Sequence, residues 1–480
     1  MPELEASDIL VIIFYLGGIF FLAFKSSRHK GSDLIEDQYL AGKSLSIPES
    51  LFSIIATEVS ALTFLGIPAF AYGKDFSFIQ IYFGAIVGRV IISQIMLPLI
   101  YNKGLTVYSV MAKRGNPNGQ RAIAIFYSIN KFLAVGVRLF SGSILVSQFF
   151  DINIFVAVGV ICFITFFYTL IGGLKAVVRT DMVQMAIFVL GGITAHYLIP
   201  GVSDSTWTSL MTTAMNAGKI SFIDFASPSA FVIGVLGGIL FDMATHGVDQ
   251  DFAQRLTANK SLKGAQFSIV VSSFFSIAVG LLFLGIGALL WSHHQMVPLP
   301  EGITPDQVFA HFITTHFPAG VRGLMVAGVL AATMSTLDSS INALSACFYN
   351  DIFHHRSLNE KTIKMYYRLD TLLITTIFMI VAFIASQSSG LLMFGLKITS
   401  WTAGSLLALF FGVLVFKICK LNVKNVLLAY TTGIFGVFLS TFVFKLNWNF
   451  NVYLGFGLAI IFLYLFNLKS NIKPSSIKNF

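Results

Sequence analysis

Charged residues are scarce in this chain: Asp, Glu, Lys and Arg make up only 11% of its 480 residues. A water-soluble domain carries roughly twice that share, so a soluble fold with a solvated shell is excluded. Cysteine is nearly absent. Cys162, Cys347 and Cys419 stand far apart with no paired spacing, which argues against a disulfide framework and a zinc site. There is no nucleophile elbow, no phosphate-binding glycine loop and no metalloprotease helix, so the chain does not read as an enzyme. The first apolar run lacks a preceding basic region and a small-residue cleavage site, and reads as a retained helix.

Apolar residues fill the space. They are 56% of the chain, and the mean hydropathy is +0.81. The runs read as about thirteen spans, near 8–25, 46–73, 76–101, 121–149, 152–171, 180–200, 228–253, 264–292, 319–351, 365–387, 391–416, 424–444 and 450–468. The basic residues fall on alternate connections: Lys103, Lys113 and Arg114; Lys260 and Lys263; Lys361 and Lys364; Lys417 and Lys420. The opposite connections hold only Lys74, Lys219, Arg322 and Lys445. This asymmetry predicts a cell-membrane protein with its N-terminus outside and its C-terminus cytoplasmic. It also accounts for the net charge of +9 without a nucleic-acid partner. No obligate protein partner is implied; the bilayer and a small molecule are the expected partners.

The stretch Ala331–Asn342 carries the chemistry. Ser335, Asp338, Ser339 and Asn342 follow helical spacing and form one polar stripe inside an apolar span. A carboxylate at mid-membrane costs about 2.5–3.5 kcal/mol to insert. Hydroxyl, carboxylate and carbonyl oxygens are hard donors, suited to a hard cation. Small Ser and Ala residues also line ordinary helix interfaces, and Asp338 tips the balance toward an ion site.

The second span contains Ser60, Thr63, Gly66 and Pro68, which weaken a helix at membrane depth. Pro68 cannot complete the bond to the Phe64 carbonyl, and freed carbonyls at such a break make good sodium ligands. Glu58 needs a partner, with Arg89, Lys131 and Arg138 as candidates. Arg138 is either its ion-pair partner or a substrate anchor. The seventh span ends in Asp242–Arg255, where Gly247 among polar residues suggests a second break, and paired breaks mark a carrier's central site. After the Gly172-Gly173 turn, Thr180 and Asp181 suit the cap of the sixth helix; alternatively Asp181 reaches the Ser335–Ser339 stripe. Asp306–His316 reads as a short interfacial helix. Lys397 and Trp401 either gate or pack. His293-His294 and His354-His355 read as surface residues rather than metal ligands.

These motifs together resemble the sodium/solute symporter family. Ala331–Ser340 is similar to its ion-site helix, Gly172–Gln184 to its signature turn, Ser60–Tyr72 to its first core helix and His246–Arg255 to a segment ending in Gln-Arg. The resemblance, spread over about residues 38–420, implies an all-α membrane protein of the leucine-transporter type. Its core would be two inverted five-helix repeats, with one helix before and two after. The implied division is 1–45, an extra helix and inner loop; 46–200, the first repeat; 201–227, an outer loop; 228–390, the second repeat; and 391–480, the final helices and tail.

The resemblance further implies a sodium site of the Ala56, Val59 and Ala332 carbonyls with the Ser335 and Thr336 hydroxyls. A second cation site maps onto Asp181, Ser335, Asp338 and Ser339, with Asp338 where serine is common in related members. Substrate would lie among Ser60, Thr63, Gln80, Arg138, Asp242 and His246. The implied activity is sodium-coupled import of a small polar solute, with a carboxylate-bearing one among the readings, by alternating access. The alternatives are proton coupling, or a sugar or polyol as substrate.

Overall fold

The computed structural model describes residues 5–27, 34–223, 228–353, 360–386, 390–446 and 448–468. Among these the chain is helical, with no named strand; two isolated backbone bridges, Leu45 with Asn259 and Gly115 with Leu421, tie connections together. The helices in order are α1 (Ala6–Ser26), α2 (Leu34–Leu40), α3 (Ile47–Glu58), α4 (Leu62–Gly73), α5 (Ile79–Ile100), α6 (Val107–Ala112), α7 (Pro117–Phe150), α8 (Ile154–Ile171) and α9 (Leu174–Val202). They continue with α10 (Trp207–Asn216), α11 (Phe231–Gly247), α12 (Gln250–Thr257), α13 (Leu262–His293), α14 (Val308–His316) and α15 (Val321–Ile352). The last four are α16 (Lys361–Ala385), α17 (Leu392–Val415), α18 (Val423–Val443) and α19 (Asn449–Leu468). Eleven of these are long and apolar enough to cross a membrane singly. The pairs α3/α4 and α11/α12, bent by 60° and 65°, bring the number to as many as 13, as the apolar runs predict.

Local signals set the ends. Ser46 and Glu49 form a reciprocal capping box at the start of α3, with Pro48 in the first turn. Asn116 caps α7 by accepting the Gly119 amide, just before Pro117. The centre of the bundle is α15: 94% of its apolar window is buried, against 28% for α1, whose outer face is left for lipid. Small side chains let helices approach closely. A Cβ on Gly84 would lie 2.1 Å from the Val235 carbonyl, and one on Gly238 2.3 Å from that of Ile81, so α5 and α11 pack backbone against backbone.

Three expectations need correction. The first interruption lies roughly two turns before Pro68, at Val59 and Ser60, where Val59 leaves helical geometry at φ −74° and ψ 131°. Pro68 sits in the first turn of a resumed helix, after a π-turn over Leu62–Gly66 in which the Ile67 amide donates to the Leu62 carbonyl. The wider turn absorbs the missing amide of Pro68. Second, helix α9 starts at Leu174 behind a Gly173 cap, so Asp181 is not a cap; it stands inside the helix, fully buried. Third, Trp401 is 46% exposed and Lys397 is also exposed, so neither packs into the bundle core. The helix expected at 306–316 is present as a 3-10 turn (Pro305–Gln307) leading into α14. His354, His355 and the polar tail lie outside the described residues.

Candidate functional site

The break after α3 frees two carbonyls. The Ser60 amide lies 3.2 Å from the Thr63 hydroxyl instead of bonding Ala56, and the Thr63 amide donates to Ser60 at 2.8 Å instead of to Val59. Across from the break stands the middle of α15. The Ser335 hydroxyl donates to the Ala56 carbonyl at 3.0 Å and lies 3.2 Å from that of Ala332; the Thr336 hydroxyl donates to Ala332 at 3.0 Å. Ala56, Val59, Ala332, Ser335 and Thr336 are all buried. Two helices thus supply hydroxyls and carbonyls alone, the hard-oxygen set that suits an alkali cation.

The second expected group is arranged differently. Asp181 accepts from Ser53 at 2.6 Å and from Arg255 Nη2 at 3.2 Å. Arg255, itself fully buried, also donates to Ser339, to Ser53 at 2.7 Å and to Asp251 at 2.7 Å. The Asp338 carboxylate accepts from the Tyr168 hydroxyl of α8 on one oxygen and from the Ser339 hydroxyl at 3.3 Å on the other. Asp181 and Ser339 therefore meet through a guanidinium. Sequence reasoning missed Arg255, Ser53 and Tyr168 here; the Gln254-Arg255 pair was visible, but its reach of more than 70 residues back to Asp181 was not.

Between the two broken helices lies a cavity of ≈ 120 Å³. Ser60, Thr63, Arg138, Asp242 and His246 line it as expected, joined by Glu58, Tyr82, Phe252 and Leu392. Gln80 does not line it: its amide donates to the Phe222 carbonyl at 2.8 Å. Glu58 pairs with Arg89, Nη2 to Oε2 at 2.7 Å. Arg89 also donates to Asp242 at 3.3 Å and to Ser272 at 2.7 Å, and lies 3.2 Å from His246. One buried guanidinium thus ties both broken helices to α5 and α13, offsetting the desolvation of two carboxylates.

Arg138 is different. Among the described residues no carboxylate lies within the 4.0 Å ion-pair distance of it, and its half-buried side chain lines the cavity. Lys131, one face-repeat earlier, is held by Asp249 and Asp251, each at 2.9 Å. So the two cations on this face of α7 divide: Lys131 is braced, and Arg138 keeps its donors for the cavity.

A larger vestibule of ≈ 640 Å³, lined by residues including Gly66, Lys74, Gln148 and Asp306, adjoins the cavity. Leu392 lines both. On this side, His294 is pushed down to about 4 by burial and by its neighbours His293, His316 and His311.

A helical bundle with two opposed helix breaks, an oxygen-lined pocket at one of them and a small cavity between them has the form of a membrane solute carrier. The chain belongs to the sodium:solute symporter family, whose model matches residues 38–433. It is similar to sodium-coupled monocarboxylate transporter 1 of Mus musculus, 30% identical across 80% of this chain and spanning 65% of that relative's length. It is also similar to the sodium/sialic acid symporter SiaT of Proteus mirabilis, 24% identical over 70% of this chain and 68% of the relative. Among solved structures, a Na+-coupled sialic acid symporter in a substrate-bound outward-open state matches with a TM-score of 0.86 at 22% identity, covering 97% of this chain and 98% of that one. Mhp1, a nucleobase-cation-symport-1 family transporter, matches at 0.57 and 14% identity over 90% and 94%. These likenesses place the fold in the leucine-transporter class. The relatives named are transporters, not enzymes, and they lend the proton-coupled alternative no support.

Proposed function

We propose that this protein is a sodium-coupled symporter that imports a short-chain carboxylate by alternating access. The observation that carries the coupling is the Ser335 hydroxyl meeting the freed Ala56 carbonyl across the helix break. A sodium ion bound by Ala56, Val59, Ala332, Ser335 and Thr336 holds α3 against α15 and favours the state ready for substrate. Asp181, Asp338 and Ser339 serve as a second cation site only where Arg255 gives way.

Arg138 supports the substrate class. A guanidinium fork without a carboxylate partner suits a carboxylate ligand, and the relatives' names point the same way. The cavity's ≈ 120 Å³ favours a compact solute, with Ser60, Thr63 and His246 supplying polar contacts and Leu392 and Phe252 apolar ones. Asp242 positions Arg89 rather than the solute. The negative charge of the solute is matched by the sodium that accompanies it. A tenfold sodium gradient provides about 1.4 kcal/mol per ion; one sodium with a monocarboxylate anion moves no net charge, so the limit is roughly tenfold accumulation, whereas a second sodium leaves one net charge, for which ~100 mV adds about 2.3 kcal/mol. The N-terminus faces outward and the Lys-rich connections face the cytoplasm.

The test is uptake of a panel of short radiolabelled monocarboxylates into proteoliposomes under an inward sodium gradient, with potassium replacement. Sodium-dependent, concentrative uptake of at least one is expected. Equal uptake in potassium would refute the coupling, and uptake of a neutral sugar but no carboxylate would refute the substrate class.

A further inference from the structure

Among the described residues the final helix, α19, contributes nothing to the lining of the ≈ 120 Å³ cavity, yet its first turns touch two helices that do. Tryptophans at span ends ordinarily sit at the lipid interface. Trp448, the residue before α19, is instead buried, and its indole meets the Phe241 ring of α11 edge-on at 5.3 Å. Phe241 lines the cavity. One turn earlier on α11, a Cβ on Gly237 would lie 2.6 Å from that of Asn449, so α19 begins directly against the α11 backbone. The Tyr453 hydroxyl donates to the Leu236 carbonyl beside it. Helix α11 is thus pinned at Leu236, Gly237 and Phe241, just ahead of the wide turn Met243–Gly247 that leads into its break.

The same turns of α19 hold a second wall. Helix α17 gives Leu392 and Leu396 to the cavity, and Ser400 continues that face at a spacing of four. Ser400 is fully buried and accepts from Asn451 Nδ2 at 3.1 Å. One turn further, a Cβ on Gly404 would lie 2.6 Å from the Val452 carbonyl, so here too backbone meets backbone. Trp448 and Tyr453 therefore fasten α11 while Asn451 and Val452 fasten α17, all within six residues of chain. A solute pocket commonly spans about 300 Å³ or more, so in a cavity of ≈ 120 Å³ a small displacement of either wall changes what fits. A carboxylate held at Arg138 leaves its alkyl tail to this apolar lining.

We propose that the start of α19 sets the chain length of the carboxylate this cavity admits, bracing Phe241 through Trp448 and Leu392 and Leu396 through Asn451. This rests on the carboxylate reading of the cavity. Trp448, Asn451 and Tyr453 are positioning residues that touch neither ion nor solute. With the indole cut back, the Phe241 ring swings into the vacated space and the cavity lengthens on that side. Arg138 and the Ser335 pocket keep their places, because neither contacts α19.

Uptake by the full-length protein in proteoliposomes tests this, across straight-chain monocarboxylates from acetate to hexanoate at saturating sodium. Each methylene newly seated in the cavity strengthens binding about fourfold. Trp448→Ala is therefore expected to lower the ratio of the hexanoate KM to the propionate KM about tenfold, with the sodium concentration for half-maximal uptake unmoved. Trp448→Phe keeps a ring against Phe241 and is expected to keep the native ratio. Tyr453→Phe removes one half-buried hydroxyl and is expected to shift the ratio about threefold the same way; it decides the question if Trp448→Ala fails to fold. A ratio unchanged in every variant, with uptake of all the carboxylates falling together, would overturn the bracing and leave the carboxylate reading standing. Uptake of no carboxylate by the unsubstituted protein would overturn both.

Discussion

Replacing Arg138 separates a substrate anchor from a structural ion pair. If the guanidinium bonds a solute carboxylate with both prongs, Arg138→Ala removes two charge-assisted hydrogen bonds, each typically about 1.5–3 kcal/mol and not fully additive. A combined loss of about 2–4 kcal/mol lowers kcat/KM for uptake roughly 30- to 1000-fold. Arg138→Lys keeps the charge but not the fork, and is expected to lose roughly five- to tenfold. Stability behaves oppositely. Because among the described residues no carboxylate pairs with Arg138 within 4.0 Å, its removal strands none of them, and the apparent Tm of the detergent-purified protein should hold or rise. The assay is the dose dependence of carboxylate uptake at saturating sodium, read beside a thermal melt. A fall in Tm with an unchanged KM would refute the reasoning and make Arg138 a structural residue.

Further outcomes follow from the same contacts. Arg89→Met strands Glu58 and Asp242 and should cost about 3–5 kcal/mol, or ~3–5 °C for a chain of this length at roughly 2.1 cal/mol/K per residue; adding Glu58→Gln and Asp242→Asn should recover part of the loss, and a deeper loss would contradict the network. Asp8 accepts from the Gly320 and Gly323 amides at 2.8 Å and from Arg322 at 2.9 Å, so Asp8→Ala should lower stability by about 2–3 kcal/mol, checked by thermal melt. Because burial holds His294 near 4, below the ordinary histidine value of about 6.5, its neutral form is favoured in the fold. Its stabilising contribution is whole above pH 6.5 and is lost as pH falls toward 4; His294→Asn should flatten that part of the Tm-versus-pH curve. Gly84→Val drives a side chain into the Val235 carbonyl and should abolish folded protein in the membrane, read by fluorescence-detection chromatography.

The sequence reveals what depends on composition and short spacing. The membrane class, the span number and the polar stripe of α15 all follow from periods within one helix, and the structure bears them out. The pairing of Ser335 with Ala56 became legible only through the family resemblance, because nothing local links residues that far apart. Side-chain partners were the hard part. Glu58 had three candidate cations, and Arg89 holds it because α5 and α11 pack through glycines. Arg138 and Lys131 look alike in sequence, yet only Lys131 meets carboxylates. Pro68 misled, since a π-turn can absorb a missing amide without breaking the helix. Arg255 was hidden because a guanidinium reaching between α9 and α15 leaves no periodic trace.

The central claim is that an alkali cation sits where the freed carbonyls after α3 face Ser335 and Thr336. Equilibrium binding of radioactive sodium to the purified protein tests it most directly, comparing the native chain with Ser335→Ala. Saturable binding in the native protein and its loss in the variant, with the thermal melt preserved, is the predicted result. Equal sodium binding by both proteins would contradict the account.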